Sequence, residues 1–76
     1  MKLKPLGANQ TELETHNSLI LFSYKTPVAC SIFGQGFFVT EKSWSPTTSK
    51  HIKNWLEGRN ATPRPQAFFD DLAQRA

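Results

Sequence analysis

Leu19-Ile20-Leu21-Phe22-Ser23-Tyr24, then Lys25-Thr26-Pro27, then Val28-Ala29-Cys30-Ser31-Ile32-Phe33, is the stretch that decides the fold. Its first six residues are mostly aliphatic or aromatic, the composition of a strand packed into a sheet. Apolar side chains occupy both alternating faces, which predicts a central strand. Pro27 has no amide hydrogen to give to a ladder, so residues 25–27 are expected to form a turn. Residues 28–33 then return as a second strand. Gly34-Gln35-Gly36 reads as a short connection in which glycine reaches positive φ without steric cost. Phe37-Phe38-Val39-Thr40 closes a hairpin on the strand before it.

Outward from this block the pattern weakens on the N-terminal side. Residues 11–15 alternate faintly and suggest an edge strand. Residues 1–10 mix Lys, Pro, Gly and Asn without a period and read as a loosely ordered arm. Residues 11–76 are then a single α+β domain.

On the C-terminal side the period changes. Ser45-Pro46-Thr47-Thr48-Ser49 has the marks of a helix start, since proline suits the first turn and hydroxyls accept from its free amides. Ser45, Thr47 and Thr48 all qualify as the cap. The helix is expected to run to about Glu57 and to stop at a left-handed Gly58. Thr48, Ile52, Trp55 and Leu56 fall on one face at helical spacing, and Ile52, Trp55 and Leu56 are expected to be buried. Residues 59–64 read as a loop. Residues 65–75 fit a second short helix, with Phe68 and Leu72 stacked at i,i+4 and Phe69 beside them. The expected architecture is a small antiparallel sheet of three to four strands, followed by two short helices covering one face.

The residues from Tyr24-Lys25-Thr26-Pro27-Val28-Ala29, through Phe38 and Thr40, to Trp44-Ser45-Pro46-Thr47-Thr48-Ser49-Lys50-His51-Ile52-Lys53-Asn54-Trp55-Leu56 resemble a group of small uncharacterised proteins from tailed bacteriophages. The resemblance spans about residues 18–56. It implies a phage origin and favours a non-enzymatic accessory protein that binds host machinery, and it carries no chemistry.

Size and composition set the outer limits. A chain of 76 residues allows one domain. A core of that size supplies only about 3–5 kcal/mol of net stability. Cys30 is the only cysteine, so no disulfide forms within the chain. The burden falls on core packing or self-association. The basic start, Met1-Lys2-Leu3-Lys4, lacks the apolar stretch of a signal peptide. Leu19-Ile20-Leu21-Phe22, the longest apolar run, is far too short to span a bilayer. With a lone thiol, this predicts a cytoplasmic protein without membrane contact. The net charge of +3 and a pI near 9.4 favour acidic partners mildly.

Catalytic and metal chemistry have little to stand on. Cys30 and His51 resemble a nucleophile–base pair only if helix and strand meet there, and nothing supplies an orienting group or oxyanion site. A strand cysteine is ordinarily a small buried hydrophobe. His16, His51, Cys30 and the Asp70-Asp71 pair lack ligand spacing. The glycines at 34 and 36 lack the lysine and hydroxyl of a phosphate loop. The expectation is no catalytic residue, no metal and no small-molecule cofactor.

Two binding readings remain. A sheet covered on one face leaves the other open, and aromatic side chains there mark a protein-binding surface. Phe22, Phe38 and Trp44 are the candidate anchors, with a host protein or a second copy of the chain as partner. The rival site lies in residues 42–53, where Lys42, Trp44, Lys50 and Lys53 surround a hydroxyl-rich helix start. Lysines beside a stacking aromatic are suited to a nucleic-acid strand, although basic helix faces are also routinely solvated.

Overall fold

The computed structural model describes residues 2–75. Its strands are β1 (Lys2–Gly7), β2 (Gln10–Glu14), β3 (Ser18–Ser23), β4 (Thr26–Ile32), β5 (Gly36–Thr40) and β6 (Thr62–Arg64). Helix α1 (Pro46–Leu56) lies between β5 and β6, and α2 (Gln66–Arg75) follows β6. The class is α+β, with more strands than expected: one six-stranded sheet whose spatial order equals the chain order. β1 to β5 form an antiparallel meander. β6 returns through α1 and pairs with β5 in parallel, which makes the sheet mixed.

β3 is central, as its two apolar faces predict. Ile20 and Phe22 point to one side, into a cluster with Leu13, Cys30, Ile32, Phe38, Phe68, Phe69 and Leu72. Leu21 points to the other side, where Val28, Ala29, Leu6, Trp44, Ile52 and Trp55 gather. The first cluster lies under α2 and the second under α1. The two helices therefore cover opposite faces, which corrects the expectation of one covered face. The physical reason is β3 itself, because a strand apolar on both faces needs a helix on each. Phe69 of α2 is the largest fully buried side chain and plugs the first cluster.

Three local expectations change. Residues 2–10 are no loose arm, since Lys2–Gly7 form β1, paired with β2 from Lys2↔Glu14 to Gly7↔Gln10. The β3–β4 turn is Tyr24-Lys25, and Thr26 and Pro27 belong to β4. There the register steps from Leu21↔Ala29 to Phe22↔Pro27, leaving Val28 as an extra residue. This bulge relaxes the ladder beside the proline and turns both Val28 and Ala29 into the α1-side cluster. Residues 62–64 of the expected 59–64 loop form β6, whose Thr62-Pro63-Arg64 is exposed and has no apolar alternation to mark a strand.

At the start of α1, Ser45 is the cap. Its Oγ accepts from the Thr48 amide, and Pro46 takes the first turn. The left-handed stop falls on both Glu57 (φ 51°) and Gly58 (φ 83°). Only Thr48 is fully buried on α1, while Ile52, Trp55 and Leu56 are half-buried. Among the described residues no helix is long and apolar enough to cross a membrane.

Candidate functional site

The expected open-face aromatics are not on an open face. Phe38 is 7% exposed and packs on Phe68 of α2, ring centroids 5.6 Å apart. Phe22 is half-buried against the same cluster. Trp44 belongs to the opposite face. The sheet places two of the three anchors under α2 and the third beside α1, so they form no common surface.

The residues of the rival site come together only in part. Lys50 and Lys53 share the solvent face of α1, and among the described residues neither has an ion-pair partner. Trp44 stands in the β5–α1 connection, its indole pinned from two sides. Lys42 Nζ lies 4.5 Å from the ring centroid, and the indole N–H donates to Gln66 Oε1 at 3.3 Å. A ring that carries its own lysine presents less of its face to a base. Beside it runs a shallow groove of about 360 Å³ whose lining includes Val39, Lys42, Trp44, Ser49 and Ile52.

Gln66, at the first residue of α2, ties this region together. Its Oε1 also accepts from Thr40 Oγ1 at 2.7 Å, and its Nε2 donates to the Pro27 carbonyl at 2.7 Å and to Asp70 Oδ1 at 3.1 Å. One side chain thus joins the end of β5, the start of β4, the connection before α1 and the first turn of α2.

Cys30 and His51 lie on opposite faces of the sheet and do not form a dyad. Cys30 is fully buried in the α2-side cluster, and desolvation pushes its thiol up from 9.0 to about 11. His51 faces β3 instead, with Nδ1 2.9 Å from Ser23 Oγ. That hydroxyl is also 2.9 Å from Thr48 Oγ1, and Ser23 is 2% exposed. A serine closed off from solvent and shared between two side chains is a bolt between α1 and β3. Among the described residues no three His, Cys, Asp or Glu side chains are placed to hold a metal ion.

The feature that composition did not reveal is a second groove on the α1 face, about 410 Å³ in volume. Its floor is Trp55 against Phe37, edge to face at 5.9 Å, flanked by Leu6 and Leu19. Lys4, Glu12, Glu57 and Arg59 stand at its rim. Trp55 Nε1 donates to Glu12 Oε1 at 2.9 Å, which fixes the indole plane. The Arg59 guanidinium lies 5.4 Å from the Phe37 centroid and donates to the Leu56 carbonyl at 3.3 Å. Its members come from β1, β2, β3, β5 and the C-terminal end of α1, so only the folded sheet assembles them.

Residues 1–71 match a family of unknown function, DUF8033. The chain belongs to that family. No curated protein and no solved structure matches it. The DUF8033 match takes in all six strands, α1 and the first part of α2, so the edge strand is part of the family's domain. It names neither a source nor an activity.

Proposed function

We propose that this DUF8033 member is a small non-enzymatic protein that acts by binding another protein, through the groove between the sheet and the C-terminal end of α1. The observation that carries the reading is the half-buried aromatic floor of the groove, Trp55 on Phe37, ringed by charged side chains. An apolar centre with a polar rim is the anatomy of a protein-binding patch, and aromatic residues with arginine supply most of its affinity. The site is prebuilt. Trp55 is held by Glu12, so little freedom of that side chain is lost on binding. Nucleic acid is the less supported ligand, because Trp44 already carries Lys42 and bonds Gln66.

The test is a photo-crosslinking side chain at Asn54, an exposed residue on the groove's wall. In lysate of the source cell it should trap one discrete protein, and the adduct should survive nuclease. The same group at Asp71, exposed on α2, should trap nothing. Equal trapping from both positions, or an adduct lost with nuclease, would overturn the reading.

A further inference from the structure

Ser45, Thr48 and Ser23 form a row of hydroxyls that leads from the cap of α1 to His51, and each brings one hydrogen to it. The row has one direction. Thr48 is 4% exposed, and among the described residues its hydroxyl has two neighbours. Ser45 Oγ, at 3.4 Å, donates to it, and Ser23 Oγ, at 2.9 Å, is left to take its hydrogen. Ser23 is 2% exposed and accepts from Thr48, so its own hydrogen goes to its remaining partner, His51 Nδ1 at 2.9 Å. A ring nitrogen that accepts carries no hydrogen, so neutral His51 holds its proton on Nε2. In this sense no buried polar atom of the row lacks a partner.

We infer that His51 is a proton-operated latch between α1 and β3, closed while Nδ1 is bare and opened when Nδ1 takes a proton. A protonated imidazole donates from both nitrogens, and Nδ1–H then points at a hydroxyl whose hydrogen points back. Ser23 can accept it only if all three hydroxyls reverse. Ser45 is a poor acceptor for Thr48 at 3.4 Å, and its oxygen already takes the Thr48 amide at 3.3 Å. Stalled part-way, the reversal strands a buried donor. His51 is half-buried, so its ring has the shorter course of leaving Ser23 and giving Nδ1–H to water. The Ser23–Thr48 bond stays. Nothing ionic holds the charged ring back. Tyr24 of the β3–β4 turn faces it with ring centroids 6.2 Å apart. Lys50 and Lys53 flank it along α1, Lys25 follows Tyr24 in the turn, and among the described residues no carboxylate pairs with the ring. The latch does not depend on what the groove binds.

The test is nuclear magnetic resonance of the full chain, labelled with 15N and 13C, from about pH 8 to about pH 5, the span over which imidazole changes charge. Exposed His16 is the unlatched reference. At the upper end His51 should show a bare Nδ1 and a protonated Nε2, with less of the other tautomer than His16. As the His51 ring takes its proton, the through-space contact between that ring and the Ser23 side chain should be lost, while the Ser23–Thr48 contact remains. Ser23→Ala should let the His51 tautomers drift to the mixture seen at His16, and Ser23→Thr, which keeps a donor, should hold them. The wild-type spectra decide the matter even where a variant fails to fold. A proton on Nδ1 at the upper end, or a ring–Ser23 contact that persists through the titration, would overturn the latch. So would a tautomer unchanged in folded Ser23→Ala.

Discussion

At the scale of single residues, two side chains with no part in the groove make testable contributions to stability. Cys30 is enclosed by Ile20, Phe38 and Phe69, and the thiolate has no solvation there. Burial pushes its thiol up from the ordinary 9.0 to about 11. The folded chain therefore holds its proton where the unfolded chain has lost it. The stabilisation is complete below pH 9 and drains away as pH rises toward 11, by about 2–3 kcal/mol in total. Chemical denaturation of wild type and Cys30→Val across that range should show the difference, with the variant lacking this component of the slope. Identical slopes would mean that the thiol is not desolvated. That Cys30 is a core residue was legible from its strand context. Gln66 was not legible, because a glutamine at a helix start has no pattern to mark it, yet it satisfies groups on four segments. Gln66→Ala leaves the Thr40 hydroxyl, the Trp44 N–H and the Pro27 carbonyl without that partner. We expect a loss of about 2–4 kcal/mol, at 1–3 for each buried polar group stranded and with water meeting some of them. A melting temperature within two degrees of wild type, in the range about 4–8 °C per kcal/mol expected for this size, would refute that role.

At the scale of elements, the sheet's centre could be read from sequence and its margins could not. β3, β4 and β5 carry apolar residues in runs or alternation because each is packed on at least one face. β1 and β6 are edge strands with exposed faces, and their Lys, Pro and Arg residues blunt the edges against further pairing. Such edge protection removes the periodicity that reveals a strand. The helices were legible as helices, but Ile52, Trp55 and Leu56, expected to be buried, are only half-buried, and a stripe does not say which face of a sheet it meets. The same limit hid the candidate groove, whose Phe37 and Trp55 lie eighteen positions apart and meet only when α1 crosses the sheet. Burial also ranks the helices differently from composition. Phe69 of α2 is fully buried, whereas Trp55 of α1 is half-buried and hydrogen-bonded at the groove. Phe69→Ala should cost about 3–5 kcal/mol, close to the whole stability of so small a core. Trp55→Phe, which mainly removes the bond to Glu12, should cost about 1–2 kcal/mol. Urea titrations of the two variants check the order, and a Trp55→Phe chain less stable than Phe69→Ala would contradict it.

At the scale of the whole molecule, the six-stranded sheet between two helices leaves few large apolar side chains outside. Leu3, Tyr24 and Phe33 are the large hydrophobic residues that stand exposed among those described. A radius of gyration of 11.1 Å matches the value of about 11 Å expected for a compact chain of this length, which agrees with β1 lying in the sheet. Charge then separates the two candidate kinds of partner. Lys50 and Lys53 look outward from α1, Lys42 covers Trp44, Lys2 and Lys4 sit on the far edge strand, Arg64 lies over Phe38 on the α2 side and Arg75 ends α2, so the cations are dispersed and form no stripe. Acidic residues lie among them: Glu12, Glu14, Glu41 and Glu57. A phosphate backbone gains affinity by counterion release from several aligned contacts, each steepening the salt dependence by nearly one unit. Dispersed cations with net charge +3 supply few such contacts. Labelled single- and double-stranded DNA and RNA should therefore bind weakly at low salt, with little sequence preference, and release the protein near physiological salt. Lys50→Ala with Lys53→Ala should lower the salt slope by up to about two units in that weak regime, as phosphate contacts do. The same double variant should leave a protein partner's affinity almost unchanged, since neither lysine lines the groove. Trp44→Phe is the discriminating control. It removes the indole N–H that bonds Gln66 and so lowers stability, but it keeps an aromatic face, so nucleic-acid affinity should not follow it. Sub-micromolar nucleic-acid binding that persists at physiological salt and is lost with the two lysines would transfer the function from the groove to the start of α1.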